Sequence, residues 1–417
     1  MAFCIENKLN WLYIDINSYF VTIEQQLNPD LRYKPVVVVP LLSDSTCAIA
    51  ASHEAKLLGI KTGTKIYEAK KLCPELICLE ARHKVYVEYH DKIFQEIDLY
   101  LKVDHIFSID EGACRLTGKY CLPQEAMAIA RILKKTIQNN VGDYITCSIG
   151  IASNRYLAKI ASNMQKPDGL VIIRPDELPE ALYKLKLNAL PGIGAKTKER
   201  ILKSGISSIE ELCKLNAIKL KTTWGNVWGE KVWHLIRGAD LPLEETKNSS
   251  IGHSQVLAPE SRGVDIARNI LVTLILKAAN RLRSQVLYTN SILLTLETMP
   301  RRSIKDRIKT ELSCDNNKLL KIVLKSWDNL IKINNLKNIR KISVSLHGLQ
   351  KKSAQLSFGD FHNQKKQEHL SKVVDLVNKK YGHNIVTIGV PASIHEIKPI
   401  IAFGHIPRET GKGKSLK

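Results

Sequence analysis

The chain has 417 residues, more than one hydrophobic core ordinarily organises, so we expect several domains. Lysine and arginine total 62 against 41 aspartates and glutamates, and the net charge of +21 favours a polyanionic partner. Charges interrupt every long apolar stretch, and the amino terminus lacks a signal-peptide pattern, which argues against a membrane protein and predicts a soluble, cytoplasmic one.

The nine cysteines are scattered and include no Cys-x-x-Cys pair. This pattern favours reduced, buried thiols over zinc ligands or disulfides.

The first third of the chain predicts short elements separated by turns. They are a strand at 11–14, a helix at 18–26, a strand at 36–39, a helix that ends near Gly59 after an apolar run from Ala48, and a helix at 66–72. Residues 20–81 are therefore predicted to be a small, mostly helical insertion between two strands of one sheet. His53 and Lys56 lie three apart, on one helix face, from which both could reach a triphosphate; the alternative is that both are ordinary surface residues.

The next segment mixes strands and helices, which predicts an α+β catalytic core. Its elements are a helix at 85–101, a strand from Val103 to Glu111 with a hairpin partner at 114–116, a helix at 124–138 with an apolar stripe, a strand at 145–151, a helix at 155–163, and a turn at 166–169 that contains Lys166.

Three acids stand at predicted strand ends. Asp15 follows the first strand, and Asp110 with Glu111 ends the apolar run that begins near Val103. Adjacent acids in extended backbone point to opposite sides unless a turn intervenes. Two neighbouring strands that each end in an acid would bring all three carboxylates together as an oxygen site suited to Mg²⁺. The alternative for Asp110-Glu111 is a solvated turn.

The second half begins with a glycine-rich turn at 190–197, which predicts either a helix-hairpin-helix that binds DNA phosphate or a plain turn between helices. A polar linker at 241–249 follows. Residues 250–400 then read as strand, helix, two strands, helix and strand, which predicts a sheet with helices on one face. The middle of this domain is basic, and a basic tail occupies 401–417.

Four segments in one order carry a family resemblance. Residues 13–20, 108–111, 147–162 and 166–169 resemble the signatures of Y-family translesion DNA polymerases, of the bacterial SOS-mutagenesis and polymerase IV-like branch. The resemblance implies a right-hand, multidomain α+β fold with palm, small fingers, helical thumb with helix-hairpin-helix, and little-finger domain. The implied boundaries are 1–18 and 83–175 for the palm, 19–82 for the fingers, 176–240 for the thumb, 241–249 for the linker, 250–400 for the little finger and 401–417 for the tail.

The resemblance also implies roles for single residues. Asp15 and Asp110 would hold two Mg²⁺ ions, with the Ile16 carbonyl as an extra ligand, and Glu111 would complete the site. Phe20 matches the family's aromatic gate against ribonucleotides; its alternative is a core aromatic of an amphipathic helix.

The residues implied to bind the incoming deoxynucleoside triphosphate are His53, Lys56 and Lys166. The sequence departs from the family at two places. Many members have Tyr and Arg where this chain has His53 and Lys56. After the acids the family usually continues with a small residue, an aromatic and soon another acid, whereas this chain continues with Gly112-Ala113-Cys114-Arg115, in which Gly112 removes a side chain.

The remaining partners implied by the resemblance are primer-template DNA and, through a low-specificity motif, the bacterial sliding clamp. The implied DNA-binding residues are Gly192, Gly194, Lys196, Arg301, Arg302 and Arg307. Gln355, Leu356 and Phe358 belong to a shortened form of a clamp-binding peptide, for which an ordinary loop is the alternative. A translesion DNA polymerase is therefore predicted, against two alternatives: a non-catalytic DNA-binding or scaffold protein and a metal-dependent nuclease.

Overall fold

The computed structural model describes residues 8–242, 249–299, 302–351, 361–381 and 386. These residues divide into two compact units, one before residue 243 and one after residue 248. Each unit combines a sheet with helices, so the α+β prediction is confirmed. Among the helices within the described ranges, none has the length and apolarity that a membrane crossing requires.

The first unit contains a five-stranded and a three-stranded sheet. Its strands are β1 (Trp11–Ile16), β2 (Val36–Val39), β3 (Ala50–Ala51), β4 (Ile77–Glu80), β5 (His105–Ile106), β6 (Glu111–Arg115), β7 (Cys147–Ala152) and β8 (Leu170–Ile172). The larger sheet has the order β5-β6-β1-β7-β8, and the smaller has the order β3-β2-β4. In the larger sheet β1 pairs antiparallel with both β6 and β7, so β1 is central.

Helices cover both faces of the larger sheet, which explains why β1 and β7 are buried along their whole length. The helices of this unit are α1 (Tyr19–Leu27), α2 (His53–Leu57), α3 (Ile66–Leu72), α4 (His83–Asp98), α5 (Pro123–Asn140), α6 (Arg155–Met164), α7 (Ala195–Lys203), α8 (Ile209–Cys213), α9 (Ala217–Trp224) and α10 (Trp228–Leu235). Leu12 and Ile14 pack with α4 and α5, and Trp11 and Tyr13 pack on the other face with α6.

Helix α6 lies directly on β7. A Cβ atom on Gly150 would stand 2.0 Å from the carbonyl oxygen of Ala158, so only glycine permits this approach. Asn154 begins the helix, because its side-chain oxygen accepts a hydrogen bond from the Leu157 N–H at 2.9 Å. This contact fixes which side chains of α6 reach the end of β1.

The insertion at 20–81 is not mostly helical, since it contains the sheet β3-β2-β4. The predicted helix from Ala48 to Gly59 is wrong in its first part. Ile49 N–H donates to the Val38 carbonyl at 2.8 Å, and Ala50 and Ala51 pair with β2. Helix α2 begins only at His53, where the Ser52 hydroxyl accepts from the Ala55 N–H. A short apolar run such as 48–51 fits a buried strand as well as a helix.

Helices α7 to α10 form one core with α6. Trp11 Nε1 also donates to Asp240 at 2.8 Å, and the Asn154 amide donates to the carbonyls of Leu235 and Ala239. These contacts tie the end of the helical region to the central strand and to the start of α6.

The second unit is an antiparallel sheet with helices on one face, as predicted. Its elements are β9 (Ser250–Val256), α11 (Val264–Ser284), β10 (Leu287–Thr298), β11 (Ser303–Ser313), α12 (Asn316–Asn334), β12 (Ile339–His347), β13 (Gln350–Lys351) and α13 (Phe361–Tyr381). The sheet order is β11-β10-β12-β9, with β13 paired to β10. Alternation along β11 turns Lys305, Arg307 and Lys309 to the face away from α11 and α12, where all three are exposed.

Candidate active site

The three predicted acids meet where β1 ends and β6 begins. Asp15, the next-to-last residue of β1, pairs with Glu111, the first residue of β6. Asp110 lies in the bend just before β6, and its carbonyl accepts from the Ile16 N–H at 2.9 Å. A cross-strand pair shares one face of the sheet, and the bend at 108–110 frees Asp110 from strict alternation.

The prediction that Asp110 and Glu111 end a strand is wrong. Strand β5 stops at Ile106, the chain bends, and Glu111 starts the return strand β6. Because β1 and β6 run antiparallel, the end of one strand lies beside the start of the other. The acids come together through this geometry rather than at two parallel strand ends.

Each of the three carboxylates already accepts a hydrogen bond. Asp15 Oδ2 lies 2.5 Å from Lys166 Nζ, and Asp110 Oδ1 accepts from the Ser108 hydroxyl at 2.5 Å. Glu111 Oε2 accepts from Lys159 Nζ at 2.7 Å and from the Tyr13 hydroxyl at 3.0 Å. The acids are therefore held in place by two lysines, a serine and a tyrosine.

Burial and mutual repulsion separate the pKa values of the acids. Burial raises the pKa of Asp15 to about 7, and the charges of Glu111 and Asp110 act in the same direction, against the lowering by Lys166. Burial also raises the pKa of Asp110. For Glu111 burial is outweighed by the charge and hydrogen bond of Lys159, so its pKa is lowered.

This set of oxygens fits a hard divalent cation. Asp15 is buried and Asp110 is half-buried. The charge of Glu111 raises the pKa of both aspartates, and the charge of Asp110 also raises that of Asp15, so a nearby cation would relieve this repulsion. In the parts of the chain that the structure describes, no three His, Cys, Asp or Glu side chains are already gathered around one metal position. The carboxylates are turned to Lys166, Ser108, Tyr13 and Lys159 instead, so a metal would take the place that Lys166 occupies at Asp15.

The structure brings two of the three predicted triphosphate ligands to the acids. Lys56 Nζ donates to the Ser18 hydroxyl at 2.6 Å, and Ser18 lies three residues after Asp15. Removal from water and the charge of Lys166 lower the pKa of Lys56, and the charge of Asp15 acts against this lowering. His53 is exposed at the first position of α2.

Phe20, the predicted sugar gate, is the second residue of α1 and is only 6% exposed. Its ring lies 4.8 Å from that of Tyr86 and 5.6 Å from that of Tyr19. Both contacts belong to the hydrophobic core, and Phe20 follows Asp15 by five residues. The gate role stays a prediction.

Packing against Phe94 explains why position 112 is a glycine. A Cβ atom there would lie 2.4 Å from Cε1 of Phe94, whose ring from α4 fills the space beside β6. Phe94 in turn packs on His90, and His90 Nδ1 lies 2.7 Å from the Ile109 carbonyl oxygen. The missing side chain at 112 is thus replaced by an aromatic ring from another element.

Sequence reasoning missed several residues of the site. Lys159 and Tyr13 hold Glu111, Ser108 holds Asp110, and Lys134 and Asn17 hold the turn that carries Lys166. Lys159, Tyr13 and Ser108 stand inside the signature segments, so the signal was present. Lys134 is one of two adjacent lysines on an amphipathic helix, which gives no sequence signal.

The glycine-rich turn at 190–197 presents an exposed helix start. Gly192 has a φ of 94°, and a side chain there would meet Trp228 Nε1 at 2.8 Å. Gly194 caps α7, and Lys196 is exposed in its first turn. In the second unit Arg302 and Arg307 are exposed, whereas Arg301 lies outside the described residues.

Comparison with known protein families identifies the chain. A model of the impB/mucB/samB family matches residues 14–163, and the model of its C-terminal domain matches residues 248–358. A DNA polymerase IV of Moorella thermoacetica is 34% identical over 285 residues, which cover 67% of this chain and 70% of that protein. The chain belongs to the Y family of translesion DNA polymerases, of the bacterial polymerase IV type.

Other comparisons extend this Y-family assignment along the chain. A DNA polymerase IV of Oceanobacillus iheyensis is 29% identical over 388 residues, 90% of both proteins. Residues 188–240 match the model described as the thumb domain of DNA polymerase iota. The prediction of a DNA-directed DNA polymerase is therefore confirmed.

Solved structures give the same fold. A chimera of the Y-family polymerases Dbh and Dpo4 has a TM-score of 0.71 at 24% identity and covers 82% of this chain and all of that one. An insertion ternary complex of Dbh has a TM-score of 0.55 at 25% identity and covers 81% of this chain and 98% of that one. The predicted right-hand fold of a Y-family polymerase is confirmed, while the individual domain boundaries and residue roles stay predictions.

Proposed function

We propose that this Y-family polymerase adds deoxynucleotides to a primer 3′-hydroxyl at the site formed by Asp15, Asp110 and Glu111. The observation that supports this most strongly is the meeting of the three acids at the junction of β1 and β6. Family membership supports dependence on a divalent metal, and the three neighbouring carboxylates are the oxygen ligands that Mg²⁺ prefers. A non-catalytic scaffold would have no need of such a group, in which one buried and two half-buried acids repel one another.

Two Mg²⁺ ions would be held by Asp15, Asp110 and Glu111 together with the carbonyl oxygen of Ile16. When bound, the ions would stabilise charge on the attacking and leaving oxygens of an in-line displacement. The chain's own contribution is to keep the acids in place: Lys159 and Tyr13 hold Glu111, and Ser108 holds Asp110.

Lys166, Lys56 and His53 would bind the incoming triphosphate. The Lys166 ammonium lies 2.5 Å from Asp15 Oδ2, and a metal bound at Asp15 would compete with it for this carboxylate. A triphosphate beside Asp15 would then offer Lys166 a new anionic partner, with Lys56 nearby. His53 at the start of α2 would add a donor whose charge depends on pH.

Phe20 would exclude ribonucleotides by lying against the sugar, as it follows Asp15 by five residues at the start of α1. Phe20→Ala should raise incorporation of ribonucleotides relative to deoxynucleotides. Unchanged sugar discrimination would assign the gate to another residue.

DNA would be held by backbone N–H groups at Gly192 and Gly194, by Lys196, and by basic residues of the second unit. Arg302 and Arg307 are exposed, and Arg307 stands in a row with Lys305 and Lys309. Arg301 is assigned from sequence. Such contacts would neutralise phosphates along the primer-template duplex.

Asp110→Ala tests the function directly. We expect the variant to lose extension of an undamaged primer-template with Mg²⁺ and one deoxynucleotide at a time, because a metal ligand is gone. Binding of the same DNA should change little, since phosphate contacts lie elsewhere. Asp30→Ala, at an exposed position, is the matched control. Wild-type protein that binds primer-template but never extends it would favour the scaffold, and DNA cleavage would favour a nuclease.

Binding to a bacterial sliding clamp rests on sequence alone, because Gln355, Leu356 and Phe358 lie outside the described residues. Deletion of 355–358 should lower clamp-dependent synthesis and leave synthesis without clamp unchanged. Equal activity of the intact chain with and without clamp would refute clamp binding, and clamp stimulation of the deletion variant as strong as that of the intact chain would show that residues 355–358 do not carry it. A cytoplasmic location likewise remains a prediction.

A further inference from the structure

The turn at 166–169 is held by an ammonium group from α5. Lys134 Nζ lies 2.8 Å from the Cys147 carbonyl oxygen, 2.6 Å from the Asp168 carbonyl oxygen and 2.6 Å from Asp168 Oδ1. Its side chain is 15% exposed. An ammonium has three N–H donors, and these three oxygens engage all of them. Lys134 therefore joins α5, the first residue of β7 and the turn.

Asn17 and Ser148 hold the N–H groups of the same turn. Asn17 Oδ1 accepts from the Asp168 N–H at 2.8 Å, and its amide donates to the Ser148 hydroxyl at 2.9 Å. The Ser148 hydroxyl accepts from the Gly169 N–H at 3.3 Å. Asn17 follows Asp15 by two residues, so this network links the turn to the end of β1 that carries the acids.

These bonds offset an unfavourable backbone conformation. Asp168 has a φ of 58°, in the left-handed region that residues other than glycine seldom adopt. Lys134 contacts both the carbonyl and the carboxylate of Asp168 and so stabilises this conformation. Lys166 lies two residues before Asp168 in the same turn, and its ammonium lies 2.5 Å from Asp15 Oδ2. The shape of the turn therefore decides where the Lys166 ammonium stands.

We propose that Lys134 is a positioning residue for nucleotide binding, which fixes the turn so that Lys166 stands beside the acids. The proposal rests on the proposed role of Lys166 as a triphosphate ligand. Lys134 acts through Lys166 rather than on the nucleotide, because all its donors are engaged by Cys147 and Asp168.

The first test compares Lys134→Met with Lys135→Met, which removes the same charge from the exposed neighbouring position of α5. The measurements are the Kd of the complementary deoxynucleotide for enzyme on a dideoxy-terminated primer-template with Mg²⁺, and KM and kcat in extension. We expect Lys134→Met to raise Kd and KM about tenfold and to change kcat less than about threefold. Lys135→Met should match the wild type. Lys134→Arg, which keeps donors, should recover part of the affinity.

The second test is a double-mutant cycle with Lys166→Ala. If Lys134 acts through Lys166, Lys134→Met should add less than about a twofold change in Kd once Lys166 is absent. A full additional loss would overturn the proposal, because Lys134 would then act by another route. If Lys166→Ala weakens binding and Lys134→Met does not, positioning fails and the triphosphate role of Lys166 stands.

An unchanged Kd in Lys166→Ala would overturn both the ligand role and the positioning role. Unfolding temperatures of every variant show whether the fold is kept. If Lys134→Met does not fold, Lys134→Gln takes its place in the cycle with the same expected and contrary outcomes.

Discussion

Gly112 directly follows the acids, and the ring of Phe94 occupies the space that a side chain at this position would need. A methyl group at 112 would overlap Cε1 of Phe94 at 2.4 Å. We therefore expect Gly112→Ala to lower the free energy of unfolding by about 2 kcal/mol, as overpacking of a closed core does. Urea unfolding followed by tryptophan fluorescence measures this change.

The cause is tested by a second substitution. Phe94→Leu removes the ring edge, so the double variant with Gly112→Ala should be more stable than the sum of the two single changes predicts. Gly194→Ala is the control, because a Cβ there meets nothing within 4 Å. Additive losses in the double variant would show that Phe94 is not the obstacle.

The raised pKa of Asp15 predicts that the free energy of unfolding depends on pH. Its pKa is raised from 3.8 to about 7, so the folded state holds the proton more tightly than the unfolded chain does. The contribution of Asp15 to the free energy of unfolding is fully present below 3.8, its pKa in the unfolded chain, and is lost as the pH rises through about 7. The raised pKa of Asp110 acts in the same direction, whereas the lowered pKa of Glu111 gives a contribution that is present above the ordinary glutamate pKa and is lost as the pH falls.

Asp15→Asn removes this titration. In EDTA, the variant should gain stability relative to wild type between pH 5 and pH 8, by on the order of 2 kcal/mol. The free energy of unfolding at each pH is the measurement. A difference that stays constant over this range would show that Asp15 ionises at an ordinary pH.

At the scale of single residues, the sequence predicted the three acids but not the side chains that contact them. Asp15, Asp110 and Glu111 lie in short signature segments, and their proximity follows from strand pairing. Lys134 could not be recognised, since its role depends on a turn 34 residues away that folds back onto α5. Lys159 was contained in a signature, yet only its contact with Glu111 distinguishes it from other helix lysines.

At the scale of the elements, the start of helix α6 is held by the side chain of Asn154. Asn154 is fully buried, caps the helix at Leu157 and donates to the carbonyls of Leu235 and Ala239 at 2.8 and 2.9 Å. Asn154→Ala removes the cap and leaves two carbonyls without these donors, so we expect a loss on the order of 3 kcal/mol in unfolding free energy.

Asn216 provides the matched comparison for this helix start. It caps α9 in the same way, accepting from the Lys219 N–H at 2.8 Å, but it is exposed. Asn216→Ala should cost about 1 kcal/mol. Equal losses in the two variants would mean that the bonds from Asn154 to Leu235 and Ala239 contribute nothing beyond capping.

Elements with a strong pattern were predictable, and ambiguous short ones were not. The stripe of Ile129, Leu133 and Ile137 in α5 is buried, as its helical spacing predicts. The run at 48–51 satisfied a helix pattern, but its last two residues form β3, because β2 offers them partners. Strand β5 has only two residues, so the bend that sets Asp110 before β6 had no periodic signal.

At the scale of the whole molecule, positive charge is arranged by sheet geometry. In the second unit Lys305, Arg307 and Lys309 occupy alternate positions of β11, so they share the face away from α11 and α12. On α12, against the opposite face of that sheet, Lys321, Lys325 and Lys332 are also exposed. Each face therefore carries three exposed cations. Removing three cations from either face changes the net charge equally, so a difference between the two variants reports where on the unit DNA binds.

Replacing Lys305, Arg307 and Lys309 together by Ala should weaken primer-template binding and reduce the slope of log Kd against log salt by up to about 3, since each phosphate contact contributes about 0.9. The triple variant at Lys321, Lys325 and Lys332 loses the same charge from the helix side and should keep the wild-type slope. Fluorescence anisotropy of labelled DNA over a salt series measures both. Equal slopes in the two variants would mean that net charge, and not the β11 row, binds the duplex.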